Sequence, residues 1–288
     1  MTPFPTGPLP RPIGPYIVTE KIGAGGMANV YRAQHGATGE PVAIKVLALH
    51  LEGQPAARAR FRHEAALLLD LRHPHILPVY DYGEDGDVPY LVMRLLSGRS
   101  LADWLDEAPP DFADAARLVR QLAGALDYAH ARGIIHRDVK PGNVLFDANG
   151  SPYLADFGVA TVLDQAAPHD AAPGEFVGTA AYASPEQCLG LPLTGASDQY
   201  ALAVVAYQML AGQRPFDGPT ALAVISLHLS EPPPDPLAHN PALPEAVRPA
   251  LERALAKRRE DRYPSVLAFS RTLDAALGLA ATPRDERP

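Results

Sequence analysis

The stretch IIHRDVKPGNVLF, residues 134–146, sets two short apolar runs around a loop that carries His136, Arg137, Asp138, Lys140 and Asn143. Asp138 is a candidate catalytic carboxylate, Lys140 a cation suited to phosphate and Asn143 an oxygen ligand for a metal. Farther on, LADFGVA (154–160) contributes Asp156, a second hard oxygen ligand of the kind Mg²⁺ takes when bound to substrate phosphates. A base, a phosphate-facing cation and two metal ligands are the parts of a phosphoryl-transfer site, because that chemistry asks for positioning and charge stabilisation more than for covalent bonds to the protein. Each residue alone reads equally as a solvated loop side chain. Their ordered joint occurrence does not.

Upstream, KIGAGGMANVY (21–31) holds Gly23, Gly25 and Gly26. A dinucleotide fingerprint needs a helix after its glycines, and here a strand pattern follows. A glycine turn between two strands lets backbone N–H groups approach phosphates, although by itself the segment reads as well as a plain hairpin. Lys45 stands in VAIK, on a strand otherwise rich in apolar side chains, so it needs an anionic partner. Glu64, on the helix that follows, is the best placed carboxylate. A structural ion pair is the alternative reading, and it loses weight once a phosphate loop precedes the lysine.

Around these positions the pattern is that of an α+β chain. YIVTEKI, NVYRAQ and VAIKVL show period-two segments broken by glycine turns, with HGATGE as a hairpin, which predicts an antiparallel sheet. RFRHEAALLLDL predicts a helix from Phe61, Ala65, Leu68 and Leu71, stopped at His73-Pro74. HILPVYDYG and PYLVMRLL add strands. Beyond Ser97-Gly98 the pattern turns helical, with Ser100 and Asp103 as an N-terminal cap. Later helices are expected in DQYALAVVAYQMLAG, TALAVISLHL, AVRPALERALAKR and YPSVLAFSRTLDAALG, and a surface loop in EPPPDPLAHNPALP. The expected organisation is a proline-rich arm (1–15), a sheet lobe (16–96), a helical lobe (97–278) and a tail (279–288).

Composition narrows the classes. With 288 residues, 47% hydrophobic and 20% charged, the chain is globular and long enough for a large core. A net charge of −8 offers no broad basic field for nucleic acid or an anionic membrane. One cysteine, Cys188, excludes a disulfide framework and fits a reducing compartment, with the thiol read as inert and packed. The N-terminus lacks the apolar core of a signal peptide, and the most apolar run (200–212) is shorter than the roughly 20 residues a membrane span needs.

Through these motifs the chain resembles a bacterial eukaryotic-like serine/threonine protein kinase over residues 16 to about 277. The Gly-rich loop, VAIK, H-R-D-x-x-x-x-N and D-F-G are present in order, although Ala28 replaces the third glycine. Ser184-Pro185-Glu186 stands for A-P-E, Asp198 for the helix-F aspartate, and Arg262 for the arginine that pairs with the A-P-E glutamate. These three are structural in the family. The resemblance implies a two-lobed fold, a small antiparallel sheet lobe with one main helix and a larger helical lobe, with ATP between them. It also implies a hinge at 94–96 with Met93 as gatekeeper, an adenine sandwiched by Val30, Ala43 and Leu145, and further ATP contacts at Ile22, Met93, Arg94 and Leu96. Arg94 stands where an acidic residue is common, but the contacts there are main-chain.

The roles implied are Lys45, oriented by Glu64, on the α/β-phosphates; Asp156 and Asn143 on Mg²⁺, with Mn²⁺ as a substitute; Asp138 as base; and Lys140 on the γ-phosphate. Lys140 and Gly178-Thr179 resemble the Ser/Thr class. The implied partners are ATP and protein substrates, without nucleic acid; a dimer of kinase domains is a further expectation. The implied place is the cytoplasm, as a soluble kinase or as part of a longer membrane-anchored one. A catalytically silent scaffold and a small-molecule kinase are the rival readings; the first conflicts with the full catalytic set, the second with Ser184-Pro185-Glu186, Asp198 and Arg262. Residues 162–178 of the activation loop contain no Ser, Thr or Tyr. This predicts activity without a loop phosphate, with Glu175 or Asp170 partly substituting as partner of Arg137; a solvated acidic loop without that pairing is the alternative reading.

Overall fold

The computed structural model describes residues 9–24, 28–47, 54–157 and 180–279. The chain divides into two units. The first holds the described residues up to Gly98 together with those from Phe146 to residue 157; the second holds Arg99–Leu145 with residues 180–279.

The first unit is built on β1 (Arg11–Ile13), β2 (Tyr16–Ala24), β3 (Ala28–His35), β4 (Pro41–Leu47), β5 (Val79–Asp85) and β6 (Val88–Arg94), in the order β1-β2-β3-β4-β6-β5, with every pair antiparallel. Side chains alternate across a strand, so register sorts them onto two faces. Val42, Ile44 and Val46 lie opposite Ala33, Tyr31, Val92 and Tyr90, and with Ile13, Tyr16 and Val18 they form a buried core on one face. Ala43 and Lys45 belong to the other face, opposite Met93, Leu91 and Val30.

The sheet reaches further toward the N-terminus than periodicity indicates. Arg11–Ile13, inside the segment read as an arm, pairs with β2 and buries Ile13. Pro12 is tolerated because β1 is an edge strand. On β5, Gly83 is required by packing: a Cβ there would lie 2.5 Å from the Tyr90 hydroxyl and 2.6 Å from the ring carbon that bears it. Because Tyr90 is buried in the core, Gly83→Ala should destabilise the protein by about 1–3 kcal/mol, the cost of overpacking. A thermal melt checks this; an unchanged midpoint would show that the ring yields freely.

Helix α1 (Pro55–Leu69) starts with proline in its first turn and buries Ala57, Phe61, Ala65 and Leu68. Phe61 and Leu68 are the large members, worth about 1.5–3 kcal/mol each when fully buried. Glu64 shares their stripe and is half-buried.

In the second unit, α2 (Leu101–Glu107) opens on the capping box of Ser100 and Asp103, and α3 (Phe112–His130) is capped by Asp111. A 3₁₀ turn (Pro141–Asn143) leads into β7 (Val144–Phe146), which carries the chain to the first unit and to β8 (Pro152–Leu154). Then follow α4 (Pro185–Cys188), α5 (Gly195–Ala211), α6 (Ala221–Ser230), α7 (Pro236–His239), α8 (Val247–Ala254) and α9 (Val266–Ala276). Helix α5 is apolar all round and is accordingly buried along almost its whole length. Among the described residues, no helix is long and apolar enough to cross a membrane. Within the segment read as a surface loop, α7 forms one short turn because the Asp235 carboxylate accepts from Leu237 N.

Candidate active site

The loop of residues 136–143 is held by its backbone. Asp198, 1% exposed in the first turn of α5, accepts from His136 N (2.8 Å) through Oδ2 and from Arg137 N (2.8 Å) through Oδ1. Gln187 Nε2 donates to the Arg137 carbonyl at 2.7 Å. Arg137 has φ 71°, a left-handed conformation costing a non-glycine residue on the order of 1–3 kcal/mol, and it is held from both sides of its peptide. The consequence is a fixed direction for Asp138.

Asp138 Oδ2 takes Lys140 Nζ at 2.8 Å and Asn143 Nδ2 at 2.9 Å, and Asn143 Nδ2 also donates to the Asp138 carbonyl at 2.8 Å. Oδ1 of Asp138 has no partner among the described residues. With its amide nitrogen spent on Asp138, Asn143 has its carbonyl oxygen left as a ligand, the hard donor that Mg²⁺ favours.

His130, which sequence reading left as a helix residue, supports the anchor. Its Nε2 lies 2.7 Å from Asp198 Oδ2 and its Nδ1 3.7 Å from Asp127 Oδ1. Burial alone would lower its pKa, but bonding to the two carboxylates outweighs that and raises it to about 9, so the ring is cationic at neutral pH. Gly195 makes room for it: a Cβ there would come 2.6 Å from His130 Nδ1. The pair expected between Glu186 and Arg262 is present, at 2.8 and 2.9 Å. Cys188 is half-buried, with its thiol pushed up to about 11 by burial, which fits an unreactive sulfur.

In the first unit, register lines up Gly23, Val30 and Lys45 on adjacent strands, and Ala43 with Met93. Lys45 Nζ pairs with Asp156 at 2.8 Å. Asp156 has φ 68°, and the segment bearing it is fastened to this unit by Leu77 N to Leu154 O (3.0 Å) and Leu154 N to His75 O (2.9 Å). Met93 and Leu91 line a small cavity with Leu68, Asp156 and Phe157. Ile22 is exposed, and Leu96 and, in the second unit, Leu145 are half-buried. Arg94 donates its N–H to Pro78 O at 3.0 Å, and its guanidinium bonds Tyr153 Oη at 2.7 Å and lies 3.6 Å from Asp147. Its side chain is thus engaged with Tyr153 and Asp147. Gly25, Gly26, Thr161, Asp164, Asp170, Glu175, Gly178 and Thr179 lie outside the described residues, so the expectations for the phosphate loop's tip and the activation loop fall there.

Sequence reading missed Gln187 and His130. Ser184 and Gln187 do spell a capping box, and both of its bonds form, but the bond of Gln187 to Arg137 spans 50 residues and has no local signal.

Residues 16–266 match the protein kinase domain family. The chain is 39% identical over 281 residues to serine/threonine-protein kinase Pkn1 of Myxococcus xanthus, covering 96% of this chain and 40% of that protein. It is 41% identical over 281 residues to PknA of Mycobacterium tuberculosis, covering 96% of this chain and 63% of that one. The chain therefore spans less than two thirds of these relatives' length. The crystal structure of the Mycobacterium tuberculosis PknI kinase domain is similar with a TM-score of 0.74 and 31% identity, over 93% of this chain and 98% of that one. The chain belongs to the protein kinase family and, by these relatives, to its bacterial eukaryotic-like serine/threonine branch.

Proposed function

We propose that this chain transfers the γ-phosphate of ATP to serine and threonine hydroxyls of proteins, itself included, in bacterial signalling. The observation that carries the reading is Asp138: a carboxylate fixed through Oδ2 by Lys140 and Asn143, with Oδ1 left as acceptor, on a loop clamped by buried Asp198. Oδ1 is suited to take the proton of a substrate hydroxyl as its oxygen attacks phosphorus. Lys140 lies beside that carboxylate and supplies positive charge for the transferring phosphoryl group.

Lys45 would hold the α/β-phosphates, with Glu64 on the buried stripe of α1 as its orienting carboxylate. Val30, Ala43, Met93 and Leu145 would pack on adenine, with main-chain hydrogen bonds from 94–96. Asn143 and Asp156 would hold the Mg²⁺ that comes with the nucleotide, or Mn²⁺ in its place. A bound ion there neutralises phosphate charge. An ATP-consuming chain with one cysteine fits the cytoplasm.

The test is ADP release with MgATP and mapping of phosphorylated residues in a lysate. Release of ADP with new phosphoserine and phosphothreonine is expected, and Lys45→Met should reduce it by about 10² or more while the thermal melt is unchanged, because it removes charge at the phosphates rather than packing. Nucleotide binding without ADP formation would refute the reading in favour of a silent scaffold.

A further inference from the structure

The end of β5 and the turn into β6 belong to no part of the site described above, yet they concentrate charge. Asp81, Glu84, Asp85 and Asp87 fall within residues 81–87, a stretch without lysine or arginine. Like charges so close repel, and each is met from a neighbouring element. Arg11 of β1 reaches Asp85 at 2.9 Å, and the Tyr16 hydroxyl of β2 donates to Asp81 at 3.0 Å. Helix α1 supplies the rest: Arg58 donates to Asp87 at 2.6 Å and brings its Nε within 3.1 Å of Glu84 as an ion pair without hydrogen-bond alignment, and Arg62 donates to Glu84 at 3.0 Å.

Exposed ion pairs count for little, but Glu84 is only 13% exposed in its side chain and takes two guanidiniums at once. Those guanidiniums sit at i and i+4, on one stripe of α1. They bracket Phe61, whose ring meets Tyr82 of β5 edge-on at 6.0 Å. The apolar face of α1 is otherwise thin, since two of its four buried residues are alanines. Alanines leave a helix free to slide or roll, whereas two arginines on one shielded carboxylate cannot move along β5 without losing both ion pairs. Glu64 lies two residues beyond Arg62, on the stripe of Phe61, Ala65 and Leu68.

We propose that Glu84, with Asp87, is an ionic clasp that fixes helix α1 on β5, and that Glu84 is thereby a positioning residue for Glu64 and Lys45. The kinetic half of this inference rests on the roles given to Glu64 and Lys45 under Proposed function. Charge at the far end of the sheet then sets how well the lysine is aimed.

The experiment uses the full chain with Glu84→Gln, which keeps shape and removes charge, and Glu84→Asp, which keeps charge. Hydrogen exchange is followed in residues 55–69 and 195–211, beside kcat and KM for ATP. Glu84→Gln should speed exchange in 55–69 and leave 195–211 unchanged. It should lower kcat by about 3- to 30-fold, the range through which coupling residues act, and Glu84→Asp should recover part of both. Unchanged exchange in 55–69 overturns the clasp. Faster exchange with unchanged kcat overturns the positioning role, and a uniform rise in exchange across both segments marks general destabilisation and overturns both. Failure of the kinase reading looks different: the unaltered chain would release no ADP, while exchange in 55–69 would still decide the clasp.

Discussion

Asp138→Asn should lower turnover by about 10²–10⁴-fold, the span that a positioned general base contributes, with the thermal midpoint and ATP affinity close to those of the unaltered chain. The amide is isosteric with the carboxylate, so the loop keeps its shape. Its backbone is held elsewhere, by Asp198 on the His136 and Arg137 amides and by Gln187 on the Arg137 carbonyl. Two things are lost together. The acceptor for the substrate proton becomes a far weaker base, and Lys140, which lies 2.8 Å from Oδ2, loses its anionic partner. Neither change touches the strands that carry Val30, Ala43 and Lys45, so KM for ATP should move much less than kcat. Initial rates of ADP release, measured beside a thermal melt and a nucleotide titration, check this. Near-normal kcat would remove Asp138 from the role of base, and a collapsed melt would show that its partners serve folding first.

The site was legible where chemistry is spelled locally. Asp138, Lys140 and Asn143 sit within one short loop, and their mutual bonds need only that loop's backbone. A charged side chain on an apolar strand called for an anionic partner for Lys45; the sequence pointed to Glu64, whereas the pair in the structure is with Asp156 at 2.8 Å. What remained hidden depends on partners remote in sequence. Nothing around Arg94 points to Tyr153 and Asp147, and nothing around His130 points to Asp198. Strand β1 was hidden for a different reason. Pro10, Pro12 and Pro15 argue against a strand by propensity, and only an edge position, where half the hydrogen-bonding groups face outward, makes room for them.

Glu186→Ala should cost about 3–5 kcal/mol, the penalty for stranding one member of a buried ion pair. Arg262 is the member that would be stranded, and its guanidinium is fully buried. All its donors are placed: Nε on Ala256 O, Nη1 on Glu186 Oε1 and Ala196 O, Nη2 on Glu186 Oε2 and Lys257 O. Three carbonyls would remain after the substitution, but they carry no net charge to offset the cation. Glu186 Oε1 also accepts from the Ser197 hydroxyl at 2.7 Å, so a second buried group loses its partner. The pH dependence separates this cause from a simple loss of packing. Burial would raise the Glu186 pKa, but the bonds from Arg262 and Ser197 outweigh it and the net shift is downward. A carboxylate held below its ordinary value stabilises the fold at neutral pH and loses that contribution as pH falls below about 4.5 toward its folded pKa. The melting gap between the unaltered chain and Glu186→Ala should therefore be on the order of 10 °C at neutral pH and narrow under acid. Replacing both partners, as Glu186→Leu with Arg262→Met, should be milder than Glu186→Ala, because no charge is left buried. A gap that does not change with pH, or a double variant worse than the single, would show that volume rather than charge sets the cost.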